Sequence, residues 1–129
     1  STDSFRNDPI LKPTYDWNKI FEDPHRPLVI DIGCGMGVSL LGLASTKDDI
    51  PGSQESSRLL LDESLSWSDC NFVGVDLGAL GIEYARGVAH RWNMVDKNLH
   101  FAIDAAEDFC KHLESYPGDI RCCMIQFPT

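Results

Sequence analysis

At 129 residues, with 43% hydrophobic side chains, the chain is long enough to bury one real core and too short for two domains. Its 20 acidic residues outweigh 11 basic ones, and the net charge of −9 comes with no basic cluster, only scattered residues such as Arg86, Arg91 and Lys97. That balance argues against this segment by itself wrapping a phosphate backbone, DNA included, and the short apolar runs fall well below the roughly 20 residues that cross a bilayer.

Residues 1–27 are punctuated by Pro9, Pro13, Pro24 and Pro27 and read as an N-terminal extension. Within it Trp17, Ile20 and Phe21 have the spacing of one helical turn, predicting a cap that packs on the main sheet. No charged-then-apolar leader opens the chain. The first strand is predicted at 28–32, Leu-Val-Ile-Asp-Ile, and it runs into Gly33-Cys34-Gly35-Met36-Gly37. A helix then carries Val38, Leu40, Leu41, Leu43 and Ala44, a density that predicts packing on a sheet. Residues 45–70 read as an insertion: a linker, then a short helix with a Leu59-Leu60-Leu61 and Leu65 face and Ser53 or Ser56 near its start.

Strand two is predicted at 71–76, followed by a helix over about 78–93 in which Leu80, Tyr84, Val88 and Trp92 recur every fourth residue beside Ala85 and Ala89. Strand three is 99–103. A helix over 105–115 places Phe109, Leu113 and Tyr116 on one stripe, with Glu107 and Asp108 at its positive end and Lys111 at its negative end, and Pro117-Gly118-Asp119 terminates it. Strand four is 120–127. Alternating strands and helices of these lengths predict an α/β fold, a Rossmann-like parallel sheet with helices on both faces and right-handed crossovers. The odd cysteine count (Cys34, Cys70, Cys110, Cys122, Cys123) and the lack of a C-x-x-C pair favour neither a disulfide framework nor a zinc site. A reducing intracellular compartment, cytoplasmic or organellar, fits that usage. Of Cys122 and Cys123, neighbours on a strand, one is expected in the core.

Ligands of such sheets bind beyond the carboxyl ends of the strands, near the switch in strand order. Those ends carry Asp31, Asp76, Asp104 and Gln126. Gly33, Gly35 and Gly37 let the backbone approach a ligand closely. A dinucleotide turn would show G-x-G-x-x-G, whereas G-x-G-x-G with an acid ahead of it points to S-adenosylmethionine. Asp76 ends a strand where a carboxylate can accept both ribose hydroxyls. Glu55 lies nearer the offset of about 20 residues usual for that role, but no strand leads into it. Asp76 can equally cap the next helix, and the two roles are compatible. Asp104 is balanced between capping a helix and accepting from an adenine amine, with Ala105 leaving room for the ring, and the other strand ends favour the pocket. His25, His90, His100 and His112 show no metal spacing, no metal is expected, and no catalytic side chain is singled out. Cys34 has no His or Asn beside it and is expected to offer its backbone rather than a thiolate.

The set Asp31-Ile-Gly-Cys-Gly-Met-Gly-Val-Ser-Leu, Gly74-Val-Asp76-Leu and Ile103-Asp104-Ala105 resembles the class I S-adenosylmethionine-dependent methyltransferases. The closing Met124-Ile-Gln-Phe-Pro-Thr129 is similar to the tRNA (guanine-N7) methyltransferase family, whose fourth strand ends in a Phe-Pro-Asp-Pro type motif. The similarity spans about 28–129, with 45–70 unmatched, and implies a methyltransferase domain that is C-terminally incomplete, the first four strands of a seven-stranded sheet. It also implies that Asp31, Gly33, Cys34, Gly35 and Gly37 cradle the methionine end, that Asp76 and Leu77 contact ribose and adenine, that Asp104 and Ala105 flank the adenine, and that Gln126 lines the floor near the methyl. The product would be S-adenosylhomocysteine, and tRNA would bind through the missing C-terminal part. Thr129 stands where the family has an aspartate toward the substrate, keeping a hydrogen-bonding oxygen without the charge. The alternatives are a diverged methyltransferase acting on a small molecule or protein, and a donor-binding module without catalysis.

Overall fold

Apolar runs bounded by turn residues form the strands, and the computed structural model describes residues 12–45, 66–95 and 97–126. In chain order the elements are α1 (Trp17–Ile20), β1 (Leu28–Ile32), α2 (Val38–Ser45), a 3₁₀ turn at Trp67–Asp69, β2 (Asn71–Asp76), α3 (Ala79–Arg91), β3 (Leu99–Ile103), α4 (Ala106–Cys110), a second 3₁₀ turn at Leu113–Ser115, and β4 (Ile120–Ile125). The four strands form one parallel sheet in the order β3-β2-β1-β4.

Alternation along the strands sends side chains to two separate cores. Val29, Phe72, Leu99 and Phe101 pack with α2 and α3, through Leu40, Leu41, Ile82, Ala85 and Ala89. Leu28, Ile30, Val73, Val75 and Ala102 pack on the other face with Trp17, Ile20 and Phe21 and with Phe109 of α4. The faces follow from connectivity: β1 to β2 to β3 steps one way across the sheet, and β3 to β4 steps back across β1. A single handedness of crossover then demands the opposite face for α4. The reversal leaves its switch point between β1 and β4.

The N-terminal segment is fastened to this sheet. Asn71, fully buried at the start of β2, donates from Nδ2 to Asp23 O at 2.7 Å and to Tyr116 Oη at 2.9 Å, and Tyr116 donates to Arg26 O. The Trp17 indole N–H donates to Ser115 Oγ at 3.0 Å. The expected cap of Trp17, Ile20 and Phe21 is therefore present and buried.

Three expectations need correction. Of the expected face of α3, Val88, Ala85 and Ala89 are buried and Ile82 joins them, whereas Leu80, Tyr84 and Trp92 are exposed. Steps of four drift around a helix of 3.6 residues per turn, whereas 82, 85 and 89 stay on one stripe. Val38 is 66% exposed, because it sits at the very entry of α2 before the helix turns onto the sheet. The helix expected over 105–115 is α-helical only to Cys110, then tightens through Lys111 N to Asp108 O and His112 N to Phe109 O bonds into the 3₁₀ turn. Phe109 and Tyr116 still reach the core. β4 ends at Ile125. Cys122 packs against the core and Cys123 is exposed, as the alternation required. The insertion helix with Leu59–Leu61 and Leu65, and Ser53, Ser56 and Thr129, lie outside the described residues.

α3 ends as its sequence permits. Asn93 takes φ 58°, its N–H bonds His90 O at 3.0 Å, and Met94 N–H bonds Ala89 O at 2.9 Å, a Schellman cap on one of the few side chains that tolerate a left-handed backbone.

Candidate functional site

The turn after β1 is built on left-handed backbone: Gly33, Gly35 and Gly37 have φ of 74°, 57° and 74°. Gly33 N–H bonds Val75 O at 2.8 Å, extending the ladder past the strand end, and Gly37 N–H bonds Cys34 O at 2.9 Å to start α2. The three glycines serve different needs. A Cβ on Gly37 would lie 2.7 Å from the Phe101 ring and 2.9 Å from Ala85 Cβ, and one on Gly33 would lie 2.9 Å from Gln126 O. A Cβ on Gly35 would meet nothing within 4 Å. Gly33 and Gly37 are therefore demanded by the protein's own packing, and Gly35 faces an open cradle.

Asp31 lies at the carboxyl end of β1 beside the switch point and is fully buried. Its carboxylate is held by Gln126, whose Nε2 donates to Oδ1 at 2.9 Å and Oδ2 at 3.0 Å across the β1–β4 seam. Burial raises the Asp31 pKa above its ordinary 3.8, the Gln126 hydrogen bond opposes that rise, and the Asp76 charge adds to it. A buried carboxylate whose charged form is penalised by desolvation gains on meeting a cationic group such as an ammonium.

Asp76, at the end of β2, closes the turn from the other side. Its Oδ2 accepts Gly35 N–H at 2.9 Å and its Oδ1 accepts Gly78 N–H at 2.7 Å. It thus ties the glycine turn to the chain just ahead of α3, but it is not the helix cap: that position is Gly78, and no side chain caps it. An ionised carboxylate offers about four lone-pair sites, so two bonds leave capacity for two hydroxyls. Asp104 is 7% exposed; Oδ1 accepts Ala105 N–H at 2.9 Å and Oδ2 accepts the Tyr15 hydroxyl at 2.8 Å. Leu77 is exposed, as are Met36, Val38 and Leu80, which places apolar side chains on the turn and on the entry to α3.

Cys34 points away from this edge, into the core. Burial, then the Asp31 and Asp76 charges, push its thiol up to about 12, so it offers no thiolate at neutral pH. The structure thus brings Asp31, Gly33, Gly35, Asp76 and Gln126 together directly. Asp104 and Ala105 follow β3, joined to β2 by an Asp104 N–H to Asp76 O bond of 3.1 Å. Among the described residues no group of three or more His, Cys, Asp or Glu is arranged to hold a metal.

Four contributors were not singled out from the sequence as site residues. The Phe101 ring underlies both Gly37 and Gly74, since a Cβ at Gly74 would also approach it to 2.7 Å. Gly81 lets α3 touch the turn, where a Cβ would lie 2.8 Å from Gly35 O. A glycine inside a strand signals such close approach, so Gly74 was open to discovery. Tyr15 carried no local signal, because its partner Asp104 is 89 positions away.

A parallel α/β sheet with a glycine turn at the switch point and an acid on each of three successive strand ends defines the class: the chain resembles the class I S-adenosylmethionine-dependent methyltransferases. More particularly, it is similar to curated proteins named tRNA (guanine-N(7)-)-methyltransferase: 27% identical over 114 residues to that of Synechococcus elongatus, covering 88% of this chain and 44% of the relative. It is 29% identical over 116 residues to that of Synechococcus sp. strain JA-3-3Ab, covering 90% and 39%. A shorter match to the protein of that name from Thermosynechococcus vestitus is 48% identical over 33 residues, 26% of this chain and 16% of the relative. The chain spans less than half the length of these relatives. No family model matches it. Among solved structures it is similar to PKMT2 from Rickettsia typhi in complex with AdoHcy, with 19% identity and a TM-score of 0.34, over 65% of this chain and 13% of that one.

Proposed function

We propose that the protein is an S-adenosylmethionine-dependent methyltransferase and that its acceptor is N7 of guanine in tRNA. The observation that carries the donor half is the pairing of a fully buried Asp31, clamped by Gln126, with a left-handed glycine turn whose Gly35 opens onto free space. The residues fit the donor's parts. Asp31 suits an ammonium, the Gly35 cradle admits the amino-acid moiety against the backbone, and Asp76 retains acceptor sites for two ribose hydroxyls. Asp104 and Ala105 follow on β3 as the flank for adenine, with Leu77 as an apolar contact.

S-adenosylmethionine supplies a methyl group already activated on a sulfonium. Guanine N7 has a lone pair and no proton, so a general base is not required, and the work left to these side chains is holding two reactants in line. The tRNA half is supported by the shared name of the curated relatives that match most of the chain. The net charge of −9 argues against this segment by itself wrapping a phosphate backbone, so tRNA contact is proposed through a further part of the protein.

The test uses the intact protein with methyl-labelled S-adenosylmethionine and total tRNA, followed by nucleoside chromatography. Label in 7-methylguanosine supports the reading. Label only in a protein or small-molecule acceptor moves the protein to a diverged methyltransferase, and donor binding without any transfer makes it a binding module. Absence of donor binding removes the proposal altogether.

A further inference from the structure

Tyr15 precedes the sheet by a dozen residues, yet its hydroxyl reaches the carboxyl end of β3 and donates to Asp104 Oδ2 at 2.8 Å in a buried contact. The ring is itself held in place. It stacks on Trp17 at 5.3 Å, meets Phe109 edge-on at 5.3 Å and His112 at 4.7 Å, and is 9% exposed. Burial, then the hydrogen bond to Asp104, hold the phenol well above its ordinary pKa of 10, so it remains a proton donor at any working pH. Asp104 receives the Ala105 N–H on its other oxygen. The two donors come from different parts of the chain, and together they fix the carboxylate plane. Ala105 alone, adjacent in sequence, would hold only one of the two oxygens.

We infer that Tyr15 is a positioning residue for donor selectivity, orienting the Asp104 carboxylate so that it reads the exocyclic amine of adenine, and that the segment ahead of β1 is therefore part of the donor site. The inference rests on the proposed donor-binding reading. A carboxylate in this role accepts from the amine of an adenosyl ligand and repels the carbonyl that replaces it in an inosyl ligand. The selectivity depends on direction, because a rotated carboxylate loses the amine bond while keeping its charge.

The experiment measures binding of S-adenosylhomocysteine and S-inosylhomocysteine to the intact protein by calorimetry, for the wild type, Tyr15→Phe, Asp104→Ala and the double variant. Each affinity ratio is internal to one sample, so a partly unfolded fraction does not alter it. If Tyr15→Phe folds too poorly to measure, 4-fluorophenylalanine at position 15 restores the lost volume without a proton to donate. The expected result is a preference for the adenosyl ligand that falls about tenfold in Tyr15→Phe, in line with loss of a hydrogen bond to a charged group, with no further fall when Asp104→Ala is added. A purely structural tyrosine would lower the melting temperature and leave the ratio unchanged, and that result overturns the inference while donor binding stands. Equal wild-type affinity for both ligands also overturns it. Failure of the wild type to bind S-adenosylhomocysteine removes the donor-binding reading first and the inference with it.

Discussion

Alanine at Gly37 and alanine at Gly35 separate what the glycine turn does for the fold from what it does for a ligand. Both positions have left-handed backbone, at 74° and 57°, which costs a residue with a Cβ about 1–2 kcal/mol. At Gly37 the new methyl also lies 2.7 Å from the Phe101 ring and 2.9 Å from Ala85 Cβ, and Phe101 is 2% exposed with nowhere to retreat. Overpacking of that kind adds about 1–3 kcal/mol. Gly37→Ala is thus expected to lose about 2–5 kcal/mol, a large part of the roughly 5–15 kcal/mol available to a domain. Gly35→Ala meets no atom within 4 Å and should lose only the backbone cost. Its methyl instead occupies the space a ligand would take, so the variant should stay folded and bind S-adenosylhomocysteine at least about tenfold more weakly. Urea denaturation followed by circular dichroism measures the first effect and calorimetry the second. Equal stabilities for the two variants, or wild-type affinity in Gly35→Ala, would refute this division of labour.

The pH dependence of Asp31 has a definite sign. Its native pKa is raised above 3.8, so the folded state holds the proton more tightly than the unfolded chain. The contribution to stability is full below 3.8 and is lost as pH rises through the native value. Asp31→Asn should therefore gain on the wild type as pH rises through that window, and a melting-temperature difference independent of pH would contradict it. An ammonium at Asp31 favours the carboxylate, so within that same pH window S-adenosylhomocysteine binding should release a proton and tighten as pH rises, detectable by calorimetry in buffers of different ionisation enthalpy. Gln126→Leu removes the hydrogen bond that opposes the rise, so the midpoint of that binding profile should move to higher pH. Asn71→Ala leaves the Asp23 carbonyl and the Tyr116 hydroxyl without its amide, and should cost about 1–3 kcal/mol in urea denaturation with ligand affinity unchanged.

How much of this was legible beforehand depended on the distance over which each signal acts. β1, β2 and β3 were read to the residue, because alternation and turn residues are local. The stripe on α3 was read only in part, because spacing alone does not say which of two apolar faces meets the sheet, and the small residues Ala85 and Ala89 won the place where the backbone comes closest. Asp31 and Asp76 were recognisable from position, but Asp76 accepting the Gly35 N–H spans 41 residues and no local pattern encodes it.

The sequence by itself determined the parallel α/β class, the glycine turn and the acids at the strand ends, because strand periodicity and left-handed backbone are properties of short segments. Only the tertiary structure decided which glycine faces open space, that Gln126 clamps Asp31, and that Tyr15 reaches Asp104. Those depend on the switch in strand order between β1 and β4 and on the N-terminal segment folding back over β3, which bring residues far apart in the chain to one edge of the sheet.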